Sequence, residues 1–364
     1  MNDFLRQRHR RIGSALPLAD GILLVAAGDP IPLPEGSDQS YPFRAHAEYV
    51  YLAGHDEPGG IVAFDPHEIS APDGGWKHFT PPVTEAERVW EGRTQSPGRP
   101  LGEFAAWLQS RGGRPVALLG ASQREPALQG DPALGGRVRA ALTHARRPKD
   151  AAEIALLRRA AAATAAGYAR LPELIRPGTT ERQVQIELEA AFYRAGAQRP
   201  GYGTIVGGGP NAAVLHFPPS SRAIRDGEFV LVDAGAEVDR YTADVTRTYV
   251  VGQPSAFQRD LHQLVLHAEE RAIARCVAQA EWKQIHLATA VDLVGGLVAM
   301  GVLRGTPESL VEQEAHMLFF PHGLGHMVGL GVRDAGGLAP GREKDPRPSL
   351  RTLRMDLPLQ PGYL

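Results

Sequence analysis

The chain reads as an α+β protein, with an N-terminal α/β domain followed by a larger domain whose helices flank an antiparallel sheet. Three observations predict this. Short apolar runs alternate with turn residues through the first part of the chain. The stretch Arg146-Arg-Pro-Lys-Asp150 then breaks the pattern with a proline and charges. Beyond it, long helical stretches bracket a β-branched and aromatic segment, Phe229 to Val251. Domains of 1–147 and 148–364 are therefore expected.

In chain order, Ile22 to Ala27, Tyr49 to Leu52, Gly60 to Phe64 and Pro115 to Leu119 have the length and apolar content of strands. Gly28-Asp-Pro, Pro72-Asp-Gly and the Gln-Ser-Pro-Gly that begins at Gln95 mark loops. Leu101 to Arg111 has helical spacing. Asp150 is placed to cap a helix, with Glu153 three residues on to complete a capping box. An alanine-rich helix then runs from Ala151 to Leu174 and stops at Arg176-Pro-Gly178. Thr179-Thr-Glu-Arg-Gln opens a second helix reaching Ala195, and Phe257 to Ala280 and Ala288 to Met300 are a third and a fourth. Strands are expected at Thr204 to Gly207, along Phe229 to Val251 as two arms of a hairpin, and around Gly329 to Val332.

The 364 residues are 43% hydrophobic and 22% charged, with a net charge of −2. Such a balance gives no reason to expect nucleic acid or an anionic membrane as partner. Arg6-Gln-Arg-His-Arg-Arg11 is a local basic start with no apolar core of leader length behind it. Runs such as Ile22 to Ala27 are too short to span a bilayer. Cys276 is the only cysteine, so an intrachain disulfide is impossible and a reducing, cytoplasmic setting is expected. Its helical context points to a buried, inert thiol. A thiolate metal site is excluded. Any metal would be held by oxygen and nitrogen, which favours Mn, Mg, Co or catalytic Zn.

The strongest chemical signal lies in the hairpin. A turn centred on Val238-Asp239 sets Asp233 directly opposite Asp244. Like charges so placed are destabilising. The pair needs a cation between the carboxylates, or one of them must keep its proton. Pro321-His322-Gly-Leu-Gly-His326 supplies two histidines four apart. Gly323 and Gly325 argue against a helix there, since each glycine costs about 1 kcal/mol relative to alanine. A loop or strand entry is expected, in which one imidazole could ligate a metal and the other touch substrate, or both could be hydrogen-bonded loop residues. Gly203-Thr-Ile-Val-Gly-Gly-Gly-Pro-Asn211 lacks the Lys-Ser/Thr of a nucleotide loop. It reads as a tight loop followed by a strand that ends on His216, a structural or a catalytic histidine. No Gly-x-Ser-x-Gly elbow occurs.

The ordered motifs are Asn211 through His216, Val232-Asp233-Ala-Gly, Ala243-Asp244-Val-Thr-Arg-Thr248 and His322-Gly-Leu-Gly-His326-Met-Val-Gly-Leu. Tyr41-Pro-Phe-Arg44, Tyr49-Val-Tyr-Leu-Ala-Gly54 and Glu57-Pro58 precede them. Together they resemble the pita-bread metallopeptidases, and among these the Xaa-Pro peptidases prolidase and aminopeptidase P. The resemblance implies a creatinase-like N-terminal α/β domain followed by a C-terminal pita-bread metallopeptidase domain. It implies two divalent metal ions, Mn first with Zn or Co as alternatives. Asp233 would bind one metal, Asp244 would bridge and His326 would bind the other. His216 and His322 would stand beside the scissile amide as catalytic and substrate-binding groups. The implied partners are a proline-containing di- or oligopeptide, cut before the proline, and a second copy of the chain in a homodimer.

The His-Gly-Leu-Gly-His wording leans to a dipeptidase, prolidase, and this is the main expectation. Tyr41-Pro-Phe-Arg44 leans to the alternative, aminopeptidase P acting on longer peptides. A non-catalytic peptide-binding protein is a further alternative. Metal-free amidine hydrolysis on the same fold has no need of opposed aspartates. Two departures stand out. Where the family has a histidine seven residues after the ligand histidine, this chain has Arg333. An arginine there cannot shuttle a proton but can bind a carboxylate or a developing oxyanion, if it does not simply face outward. Arg44, from a neighbouring subunit, is a second candidate for binding substrate. The sequence also stops at Leu359-Gln-Pro-Gly-Tyr-Leu364, ahead of the family's two glutamate ligands. A clipped or truncated form is expected, with weak metal binding and little activity.

Overall fold

The computed structural model describes residues 3–36, 38–94, 96–120 and 128–364. Gln95, at the head of one expected loop, lies outside them. The chain divides into two compact units, Met1–Arg146 and Arg147–Leu364.

The first unit runs α1 (Asp3–Gly13), β1 (Ile22–Ala26), α2 (Ala47–Ala53), β2 (Ile61–Phe64), β3 (Trp76–Thr80), α3 (Glu85–Trp90), β4 (Arg99–Pro100), α4 (Phe104–Gln109), β5 (Val116–Leu119) and α5 (Pro132–Arg146). Its mixed sheet has the order β4-β3-β2-β1-β5. β1 lies antiparallel to β2 and parallel to β5. Every residue of β1 and β2 is buried, as continuous apolar runs covered on both faces should be. Tyr49 to Leu52 is not the strand expected but the body of α2. A four-residue apolar run has no period to separate strand from helix. The signal lay in Gly54, whose left-handed backbone (φ 84) caps α2 by donating its N–H to the Val50 carbonyl.

The second unit continues with α6 (Ala151–Tyr168), α7 (Leu171–Leu174), α8 (Glu181–Arg194), β6 (Arg199–Pro200), β7 (Ile205–Gly208), β8 (Phe229–Ala234), β9 (Ala236–Val238), β10 (Tyr241–Thr242) and β11 (Val245–Val250). It ends with α9 (Ala256–Arg275), α10 (Trp282–Ala299), α11 (Pro307–Glu312), β12 (Gly337–Leu338), α12 (Pro348–Arg351) and β13 (Met355–Asp356). The Asp150–Glu153 capping box is formed. The helix expected from Ala151 to Leu174 is split, because Pro172 has no N–H to donate back to Tyr168. α10 starts at Trp282, six residues ahead of the expected Ala288. The antiparallel sheet β11-β8-β7 carries the core between Val206, Val230, Val232 and the inner faces of α6 and α8, at Ala160, Ala163, Val184, Leu188 and Phe192. The strand expected around Gly329 to Val332 is reduced to single pairings of Leu330 with Tyr241 and of Gly329 with Gly331. Cys276 is exposed rather than buried, because α9 ends at Arg275 and leaves it at the cap. Among the described residues no helix is long and apolar enough to cross a membrane.

Candidate functional site

The two aspartates come from the two sides of one hairpin. Along β8, Val230, Val232 and Ala234 point into the core, which leaves Asp233 on the half-buried face with Phe229 and Leu231. The turn is at Asp239-Arg240, both with positive φ (49 and 75), and not at Val238-Asp239. A β-branched valine resists positive φ, whereas a two-residue turn of this hand requires it at both positions. The register therefore shifts by two, and Asp233 faces Thr246 instead of Asp244. A shift of two keeps both acids on the same face. Asp244 lies between β10 and β11, across from Gly235. A Cβ on Gly235 would stand 1.6 Å from the Ala243 carbonyl oxygen, so only glycine lets the two segments come this close.

A third group reaches both acids. The Tyr202 hydroxyl sits between them, 2.6 Å from Asp233 Oδ1 and 3.0 Å from Asp244 Oδ1, and is shared as donor. Burial, then the charges of Asp244 and Asp233, hold the phenol protonated. Burial pushes the Asp233 carboxyl up, against hydrogen bonds from Tyr202 and Thr246, and the Asp244 charge adds to the rise. Burial would raise Asp244 as well, but hydrogen bonds from His326 and Tyr202 and the charges of His326 and Arg333 outweigh it and hold this carboxyl low. The two acids thus part in the directions that a like-charge pair demands.

His326 reaches the pair from the loop after Pro321, with Nε2 3.2 Å from Asp244 Oδ2. Its Nδ1 donates to the Met327 carbonyl at 3.0 Å, which fixes the tautomer and aims Nε2 at the acids. The hydrogen bond to Asp244 pushes the imidazole up. The loop after His326 is braced from behind by a buried ion pair, Lys149 Nζ to Asp334 Oδ2 at 2.9 Å, and Asp334 also accepts from the Leu330 N–H. At the end of α6, Tyr168 donates to the Val245 carbonyl and accepts from the Ala234 N–H at 3.1 Å, which ties β8 to β11 beside Asp233. Tyr202, Tyr168 and Lys149 carry no motif, and sequence reasoning missed all three.

The remaining candidates sit differently. His216 is exposed in a turn after a short 3-10 helix, Gly209–Ala213, and not at the end of the strand expected there. Gly209 takes φ 55 and breaks the extended run. The His216 charge still acts on Asp233. His322 is exposed in the same loop as His326, with its ring against Phe320 at a centroid distance of 4.9 Å. Arg333 is exposed, and its charge reaches Asp244 and His326. Arg44 is an exposed residue of the first unit.

Two carboxylates and an imidazole with a fixed tautomer are suitable donors for a hard or borderline divalent ion. Among the described residues no three His, Cys, Asp or Glu side chains converge tightly enough to hold one by themselves.

The chain matches the model of metallopeptidase family M24 over residues 155–362 and that of the aminopeptidase P N-terminal domain over residues 5–106. Among curated proteins it is 30% identical to the Xaa-Pro aminopeptidase of Escherichia coli, over 99% of this chain and 86% of that one. It is also 30% identical to the Xaa-Pro aminopeptidase of Haemophilus influenzae, over 90% of this chain and 78% of that one. Among solved structures it resembles the Pseudomonas aeruginosa aminopeptidase PepP with a TM-score of 0.82 and 26% identity, over 99% of this chain and 84% of that one. The Escherichia coli aminopeptidase P with the inhibitor Pro-Leu is similar at a TM-score of 0.79 and 26% identity, over 99% of this chain and 84% of that one.

Proposed function

The chain belongs to the Xaa-Pro peptidases of metallopeptidase family M24, and we propose that it is an aminopeptidase, releasing the residue before proline from peptides longer than two residues. This reverses the dipeptidase preference of the sequence motifs. Relatives aligned over most of this chain are named Xaa-Pro aminopeptidases, and the first unit matches the aminopeptidase P N-terminal domain. The observation that carries a hydrolytic function is that Asp233, Asp244 and His326 are joined in one hydrogen-bonded run, the acids through Tyr202 and the imidazole through Asp244.

Asp233, Asp244 and His326 would hold the divalent metal ions that the family implies, with Mn as first choice. When bound, such ions polarise a scissile carbonyl and make hydroxide available near neutral pH. The chain's own residues do the rest. The Met327 carbonyl keeps His326 Nε2 directed at Asp244. Thr246 and Tyr202 orient the Asp233 carboxylate, to which a substrate amine can be drawn. His216 and His322 offer donors from exposed loops to the amide being cut and the residue after it. Arg333 presents a permanent positive charge to a substrate carbonyl or carboxylate. A homodimer, with Arg44 of one copy serving its neighbour, is part of the proposal.

The test is turnover of Xaa-Pro-Xaa tripeptides against Xaa-Pro dipeptides with Mn present. Faster cleavage of the tripeptide is expected. Preference for the dipeptide would restore the prolidase reading, and peptide binding without cleavage of either would point to a non-catalytic protein.

A further inference from the structure

The sheet does not by itself place His216. β7 runs antiparallel to β8, with Ile205 opposite Asp233 and Gly208 opposite Val230. The chain therefore leaves the sheet at the end away from Asp233, and the segment 209–220 that carries His216 has to be anchored outside the sheet. His216 makes no hydrogen bond within its loop among those described, so something else has to hold the loop.

That role falls to one carboxylate at the first residue of α8. Glu181 is fully buried, with 0% exposure. Its Oε1 accepts from the Gly208 N–H at 2.8 Å and from Asn211 Nδ2 at 2.9 Å, where the loop begins. Its Oε2 accepts from the Ser220 N–H at 3.1 Å and from Ser220 Oγ at 2.5 Å, where the loop ends. Burial pushes the carboxyl up, but these four donors outweigh it and keep it ionised. The two ends of the loop depend on Glu181 unequally. The exit is also pinned by backbone bonds, from Glu181 N–H to the Arg222 carbonyl at 3.1 Å and from Arg182 N–H to the Ser220 carbonyl at 2.9 Å. Between α8 and the entry, the hydrogen bonds at Gly208 and Asn211 run through the carboxylate.

We propose that Glu181 is a positioning residue: a buried carboxylate that ties the start of the 209–220 loop to its end and thereby holds the loop that carries His216. Its consequence for turnover rests on the reading of His216 as a substrate-side donor, whereas its consequence for the loop does not.

Two measurements on the full chain separate these. In Glu181→Gln, which keeps the size but turns one acceptor into a donor, the amides of Gly208 and Val214 are expected to exchange hydrogen about tenfold faster, while 221–224 and β8 stay unchanged. Asn211→Ala removes one of the two entry bonds and leaves the exit intact, and is expected to speed exchange at the same amides, so it carries the test if Glu181→Gln fails to fold. Unchanged exchange, or an equal rise throughout the unit, would overturn the clamp. On a Xaa-Pro-Xaa peptide, Glu181→Gln should lower kcat/KM, and the double variant with His216→Ala should lose no more than His216→Ala alone. Additive losses would show that Glu181 does not act through His216. If His216→Ala itself costs nothing, the reading of His216 fails and the exchange data alone judge the clamp.

Discussion

At Tyr202 a single hydroxyl answers the repulsion between two carboxylates. A hydrogen bond to a charged group is worth about 1.5–3 kcal/mol. Tyr202→Phe should therefore destabilise the metal-free protein by about that much, and by clearly less when a cation takes over between the acids. Urea unfolding in chelator and in excess Mn checks this, and an equal loss in both would mean that the hydroxyl does not stand in for a cation. That Asp233, Asp244 and His326 come together was legible because each lies in a motif with a chemical reason to exist. Tyr202 was not, since its role arises only when the fold brings a loop tyrosine against a hairpin. A second unread residue is His286, buried at 1% exposure, with no partner for either ring nitrogen among the described residues. Burial, then the neighbouring His316, lowers it from 6.5 to about 4. A base whose folded value lies below its unfolded one opposes protonation. Its full stability is present above pH 6.5 and is lost as the pH falls toward 4, a loss of about 3 kcal/mol. His286→Leu should flatten that part of the pH profile of unfolding, and an unaltered slope between pH 6.5 and 4 would refute the assignment.

The β8–β11 hairpin shows how an element can be read correctly and registered wrongly. Its strands follow from β-branched and aromatic runs, and its two acids do share a face. The turn was misplaced by one residue because a polar break was weighed without asking which residues tolerate positive φ. Asp239 does and Val238 resists it, so the pairing moved by two and Asp233 met Thr246. What then brings Asp244 near is Gly235, the residue that keeps the backbones in contact. With a Cβ placed 1.6 Å from the Ala243 oxygen, Gly235→Ala must force the arms apart. The expected cost is about 3 kcal/mol or more. Mn affinity should fall with it, because the carboxylates separate. A folded Gly235→Ala protein with unaltered Mn affinity, measured by titration calorimetry, would show that the close approach is not needed.

Over the whole molecule, each unit is built around its own core. The first packs Leu24, Ile61, Ala63 and Phe79 against Phe104, and the second packs β7 and β8 against α6 and α8. This division was legible because composition and periodicity change at Pro148, whereas α2 and the split of the long helix turned on a single glycine and a single proline. All three proposed metal ligands lie in the second unit. A ligand that binds only the folded state stabilises the unit that holds it by about 2.7 kcal/mol at a hundred times its Kd. If the units unfold separately in a calorimetric scan, Mn should raise the midpoint of the second and leave the first where it was. The Asp244→Asn protein should lose that rise while keeping both transitions. A rise in the first unit alone would place the metal elsewhere. A rise shared by both, absent in Asp244→Asn, would mean that the units unfold as one cooperative body around the same site, since the stabilisation would still depend on that carboxylate.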